Sequence, residues 1–149
     1  MNLQPLFKAE ITLAPAQELG EAPRGRRRII PITGGRVSGE RLAGRVLPGG
    51  ADWQVIRTDG VAELDARYTL ETDDHALIYV RNFGYRHGPA DVLQRLAAGE
   101  PVDPSLYYMR TTPRFETGAE RYRWLNRIIC VGTGARRAAA VELDFYQVT

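Results

Sequence analysis

The feature that most constrains this chain is an alternation of apolar and polar side chains with a period of two, broken at short intervals by glycine. Successive side chains of an extended strand point to opposite faces, so this period is the sequence form of a half-buried β-strand. Leu6–Leu13, Arg26–Thr33, Arg41–Leu47, Trp53–Arg57, Ala62–Glu71, Ala76–Phe83, Tyr107–Thr112, Arg121–Val131 and Ala139–Val148 read as strands on this basis. Gly34-Gly35, Gly49-Gly50, Asp59-Gly60 and Gly132-Thr133-Gly134 fall between the runs, where turns that need positive φ favour glycine, so antiparallel neighbours are expected. So many strands in 149 residues favour closure, because a closed sheet has no exposed edge. The expectation is an all-β chain: one domain over residues 1–149, a single antiparallel β-barrel of roughly eight to ten strands.

One segment has a different rhythm. Gly88–Gly99 carries Pro89 near its start, Val92, Leu93 and Leu96 at helical spacing, and a closing glycine, which predicts one short helix over Pro89–Ala98, lying over a barrel mouth.

Composition narrows the partners. At 44% hydrophobic the chain can bury a core, and 20 basic against 18 acidic residues give a net charge of only +2. That is too small a field to indicate a nucleic-acid or membrane partner. Cys130 is the only cysteine, which excludes an intrachain disulfide, and with His75 and His87 the only histidines no zinc framework is recognisable. No metal and no cofactor are expected. The start, MNLQPLFKAEITLAPAQ, alternates instead of forming a signal-peptide core, and no window approaches the ~18 apolar residues of a membrane span, so a cytoplasmic location is expected.

Charged residues within the strands suggest where a ligand would sit. In Arg121–Cys130, burying Arg121, Arg123 and Arg127 would be costly, so they are placed outward, leaving Tyr122, Trp124, Asn126, Ile128 and Cys130 inward. An inward indole N–H and an asparagine amide need partners, either in an internal network or on a ligand. Tyr108, Arg110 and Thr112 share one face and form a clamp for an anion or a carbonyl. Arg67 shares its face with Asp65 and lies opposite Leu64, Ala66, Tyr68 and Leu70; it is outside and paired with acids if the apolar face is the core, and inside if the lumen is polar. In GGADWQVIRTDG, residues 49–60, Asp52 follows a double glycine that lets backbone approach a ligand. A carboxyl half-buried beside Trp53 can have the raised pKa that proton transfer needs; the competing reading is turn chemistry.

Two blocks, Gly34–Gly84 and Tyr107–Gly134, resemble the domain of unknown function 3237 family. The residues carrying the resemblance are Gly34, Gly35, Gly49, Gly50, Asp52, Trp53, Asp59, Gly60, Arg67, Tyr68, Tyr108, Arg110, Phe115, Trp124, Leu125 and Asn126. The resemblance implies a compact antiparallel β-barrel and assigns no reaction. At Thr72-Asp73-Asp74-His75 the family tends to have glycine where this chain has His75, so the hairpin there is expected to keep its course with a changed or strained turn.

Other motifs have plainer readings. Val131–Arg137 imitates a dinucleotide fingerprint, but too little chain follows for a crossover helix and parallel strand, so a hairpin is expected. Arg24-Gly25-Arg26-Arg27-Arg28 lacks a stacking platform and reads as a solvated or ion-paired surface. Cys130, among Ile128, Ile129 and Val131, reads as a small buried hydrophobe. Three functional classes stay open. One is an isomerase, cyclase or lyase in which Asp52 moves a proton while Tyr108, Arg110 and Asn126 stabilise charge, acting on a small aromatic or carbonyl/carboxylate metabolite; Trp124 and Arg67 complete the residues expected at the site. The others are a small-ligand binding protein and a surface interaction module, and a homo-oligomer is compatible with any of them.

Overall fold

A computed structural model describes all residues, Met1–Thr149. Its strands are β1 (Leu3–Leu13), β2 (Gln17–Ala22), β3 (Gly25–Ser38), β4 (Gly44–Val46), β5 (Ala51–Ile56), β6 (Ala62–Thr72), β7 (Leu77–His87), β8 (Tyr108–Glu116), β9 (Cys130–Arg136) and β10 (Ala140–Val148). A helix, α1 (Ala90–Ala97), joins β7 to β8, and 3-10 turns cover Pro104–Leu106 and Glu120–Arg127.

All pairings are antiparallel, and the order β1-β10-β9-β8-β7-β6-β4-β3 is closed by a β1–β3 ladder running from Lys8↔Ser38 to Leu13↔Ile32. The long β3 makes closure work. Its first half pairs with β2 and β5, and its second half with β1 and β4. Strands β4 and β5 both bridge β3 to β6, so they share one position in an eight-stranded barrel, with β2 an added strand outside the ring. The all-β barrel with one short helix expected from the alternation is thus the fold. No helix is long and apolar enough to cross a membrane.

Alternation sorts the side chains as a half-buried strand requires. In β6, Ala62, Leu64, Tyr68 and Leu70 are buried while Arg67 is exposed. Two apolar clusters fill the interior. The larger, of 18 residues, occupies the end where β6 turns into β7, around Phe7, Phe115 and Phe145, whose rings meet at 5.0 to 6.2 Å. The smaller, of six residues, joins Ala62, Leu64 and Met109 to Val92 of α1 at the opposite end.

Three expectations fail locally. Gly34-Gly35 is not a turn but lies inside β3, opposite Thr12 and Ile11 of β1. Arg121–Val131 is not one strand: Glu120–Arg127 is a 3-10 turn, and only Cys130 onward is β9. Arginine at odd positions imitates strand alternation, but the buried residues are Tyr122 and Leu125, the i, i+3 spacing of a 3-10 helix. Gly132-Thr133-Gly134 is not a turn but the middle of β9, and the chain reverses after Arg136. A Cβ at Gly132 would stand 2.5 Å from the Thr111 hydroxyl oxygen, and one at Gly134 2.7 Å from the Met109 sulfur. These glycines make room inside the barrel. His75 holds φ +69° in the β6–β7 turn, and the hairpin keeps its course, with the Thr72 carbonyl accepting from the His75 N–H at 2.9 Å.

Candidate functional site

Between the two apolar clusters lies a polar belt. Asp52 and Gln54 of β5, Asn82 and Arg86 of β7, Thr111 of β8 and Arg136 of β9 line a lumen cavity of about 50 Å³, with aliphatic side chains of β1, β3 and β10 on the facing wall. That volume holds one or two waters at ~30 Å³ each. Arg86 and Arg136 also line an open groove of about 470 Å³ at the barrel mouth, bounded by Ile56, Ala62 and the half-buried Leu93 and Leu96 of α1. Lumen and mouth therefore meet at two guanidiniums.

Asp52 is placed by the sheet itself. Its neighbours in the β5–β6 ladder pair as Ala51↔Arg67, Asp52↔Ala66 and Val55↔Glu63, and the stretch between them is left open. Asp52 Oδ1 fills that opening by accepting the Asp65 backbone N–H at 2.8 Å. Its other oxygen accepts Gln54 Nε2 at 3.1 Å. The orientation of the Gln54 amide is set in turn by Arg28, which donates to Gln54 Oε1 at 2.9 Å and to Glu18 at 2.9 Å. Each carboxylate oxygen accepts two hydrogen bonds, so both keep a lone pair after these contacts.

The electrostatics are unusual. Burial raises the Asp52 pKa above the ordinary carboxylate value, against the pull of the Asp65 N–H, the Gln54 amide and the Arg86 charge. Burial, with Arg136 nearby, pushes Arg86 down to about 10. Arg136 is lowered by burial too, but donates to the carbonyls of Arg137 and Ala140. The Arg86 guanidinium has no hydrogen bond or ion pair; Asp52 acts on it only through space. Asn82 Oδ1 and Thr111 Oγ1, on the same lumen wall, also lack a protein partner, as does the Tyr68 hydroxyl among the core residues. Buried polar atoms are nearly always paired, so such a concentration marks a place built to meet water or a ligand.

The structure places the expected site residues in different parts of the molecule. Asp52 lines the lumen. Tyr108 and Arg110 do not: β8 turns Met109, Thr111, Pro113 and Phe115 inward, and Tyr108 stacks outside on His87 at 4.8 Å. Arg67 is on the outer wall, bound to Asp65 at 3.1 Å. Asn126 is exposed; its amide accepts from Thr117 N at 2.8 Å and donates to Thr117 O at 2.9 Å, imitating a strand partner. Trp124 lies half-buried at the closed end beneath the Arg41 guanidinium, 3.7 Å from its ring centre. The surface pairing expected of the arginine run holds for Arg26, which bonds Glu18, whereas Arg28 reaches inward to Gln54. Cys130 is buried, which pushes its thiol up to about 11. The largest hollow, about 700 Å³, is an outer groove beside β1 and β10, and its lining includes none of the unpartnered lumen atoms.

Fold and site together define a class: a small closed antiparallel β-barrel with ionisable side chains in its lumen. The chain belongs to the family described as protein of unknown function (DUF3237), whose model matches residues 1–148. It is 50% identical over 143 residues to a UPF0311 protein of Rhodopseudomonas palustris, covering 96% of this chain and 94% of that one. The crystal structure of the conserved protein of unknown function RPA1785 from the same species superposes with a TM-score of 0.96 at 47% identity, over 99% of this chain and 97% of the other. A more distant relative, the hydroalkoxylation enzyme phnH of Penicillium herquei, is 27% identical over 147 residues, 99% of this chain and 83% of that protein.

Proposed function

We propose that this protein is an enzyme that adds, removes or relocates a proton on a small organic molecule held at the junction of lumen and mouth, an isomerase, cyclase or lyase in which Asp52 carries the proton. The observation behind this reading is Asp52 itself: a carboxyl whose burial favours the neutral acid, with free lone pairs, on the wall of a lumen that also holds unpartnered Arg86, Asn82 and Thr111. A carboxyl shifted in that direction holds its proton more readily than an ordinary aspartate, as general acid–base work requires.

The distant relative's name supports the same chemistry. In a hydroalkoxylation the O–H of an alcohol or phenol adds across a C=C bond: one carbon takes a proton, the other bonds oxygen, and the hydroxyl proton replaces the one the acid gave. No atom is lost. In this chain Asp52 would give the proton to carbon and recover one from the hydroxyl, while Arg86 stabilises the negative charge that the hydroxyl oxygen gains as its proton leaves.

A second reading rests on one contact. Because Asp52 Oδ1 closes the β5–β6 gap through Asp65 N–H, the carboxylate could act only as a brace in a ligand-binding barrel. One experiment separates the two. Alkenyl phenols and enolisable keto acids are incubated with the protein in D2O, and deuterium in recovered substrate or cyclised product is followed by mass spectrometry. The enzyme reading expects protein-dependent incorporation that falls ~100-fold or more in Asp52→Asn. Incorporation untouched by that change, or none above a protein-free control, leaves the brace.

A further inference from the structure

We propose that the junction of lumen and mouth is an anion site, with Arg86 as its fork and Arg136 beside it, for an organic anion whose charged end enters first and whose apolar body lies along Ile56, Ala62, Leu93 and Leu96 of the mouth groove. This deepens the reading above, on which it rests, by naming the charge and orientation of the substrate.

Three observations carry it. First, Arg86 projects from β7, half-buried between the lumen cavity and the mouth groove, and engages no carboxylate, carbonyl or hydroxyl, so its fork is open to whatever enters the groove. Second, Arg86 is followed at the same junction by Arg136, and Arg28 adds a third charge within electrostatic reach of both. With Arg28 offset by Glu18, Arg86 and Arg136 against the one buried acid still leave the junction positive, a cost that a bound anion removes. Third, the groove beyond the pair is apolar where α1 faces it and large enough, at about 470 Å³, for a body of benzoate size, whereas the lumen behind it admits only a small group. A planar anion such as a carboxylate or an ionised phenol matches the fork.

The site couples to Asp52. The groups facing that carboxyl are Arg28 of β3 with Glu18 of β2 behind it, Asp65 of β6, Arg86 of β7 and Arg136 of β9, with the Tyr107 phenol beside both arginines. Among them Arg86, with Arg136 beside it, favours the ionised carboxyl. An anion on Arg86 cancels that effect, so binding draws a proton onto Asp52 and loads the acid as the substrate arrives.

The test is calorimetric titration of the whole protein with benzoate and with its neutral isostere benzamide, using wild type, Arg86→Met and Arg86→Gln, with melting curves on each. Wild type is expected to prefer benzoate by ~10-fold or more, and both variants to lose that preference while melting as wild type does. Equal affinity for the two probes in wild type, no benzoate binding at millimolar concentration, or a preference that survives in a folded Arg86 variant overturns the site. Repeating the benzoate titration in two buffers of different ionisation enthalpy reads the proton. Uptake supports the coupling; a retained benzoate preference without uptake upholds the anion site and counts against Asp52 as the proton carrier.

Discussion

The two ends of the barrel use the same pair of residue types, aspartate and arginine, in opposite ways. At the closed end Asp74 accepts from the Thr72 hydroxyl at 2.6 Å, the Tyr122 hydroxyl at 2.7 Å and Arg121 at 3.0 Å, tying the β6–β7 turn to the 3-10 turn that plugs the floor. Those bonds, the Thr72 contact first, hold its pKa down to about 2. At the mouth end Asp52 is raised by burial and Arg86 has no partner at all. Asp74 is a carboxylate held by three side-chain donors; Asp52 accepts one donor on each oxygen, Asp65 N–H and the Gln54 amide, and keeps a lone pair on both, beside an Arg86 guanidinium with no protein partner. The 18-residue cluster, with the orphaned Tyr68 hydroxyl among it, fills the closed end, while the orphaned oxygens of Asn82 and Thr111 lie on the lumen wall proposed as the site.

Mutations should respect that division. The largest loss belongs to the closed end: Phe145→Ala removes a ring buried to 1% exposure against Phe7 and Phe115, and denaturant unfolding should report a loss of ~3–5 kcal/mol. A loss below ~1 kcal/mol would mean the floor is not where stability resides.

Next comes Asp52→Asn. With the new carbonyl facing Asp65 N–H, its NH2 meets the NH2 of Gln54, which cannot flip because Arg28 occupies its oxygen. The mismatch should cost ~1–3 kcal/mol, and adding Gln54→Glu, which accepts from both neighbours, should restore most of it. Failure of the second change to rescue thermal stability would break the proposed chain of bonds.

Acid titration sharpens the comparison by sign. Asp74, with a depressed pKa, contributes stability that is present above the ordinary aspartate value and is lost as pH falls toward about 2. Asp52, with a raised pKa, contributes stability that is complete below its unfolded value and is lost as pH rises through its folded one. Melts from pH 2 to 7 should therefore show Asp74→Asn flattening the acid limb only. The smallest effect is expected for Arg86→Met, since removing a half-buried charge that has no protein partner should leave stability within ~1 kcal/mol of wild type or raise it. A marked loss would reveal a structural partner for Arg86.

Much of the fold is legible in the sequence because half-buried strands announce themselves: β6, β7 and β10 follow their alternation. Strand β2 has no such signal, since every residue from Gln17 to Ala22 is exposed and none chooses a face. In the site, Asp52 is legible from its double glycine. Arg86 is missed because the strand reading stops at Phe83; carrying the alternation of Ile78 and Val80 onward puts Asn82, Gly84 and Arg86 on the core side. The same rule applied to Met109 turns Tyr108 and Arg110 outward. Orphaned oxygens such as Thr111 Oγ1 are visible only once the neighbouring strands are in place, because satisfaction is a property of the packed barrel.

The central claim, that the mouth end holds an acid poised to move a proton beside a free cation, is tested most directly by a carbon-13 NMR pH titration of the Asp52 side-chain carboxyl. The midpoint is expected above the ordinary value of 3.8 and higher still in Arg86→Met, because a cation that favours ionisation is gone. A midpoint at or below 3.8, or one that ignores Arg86, would contradict it.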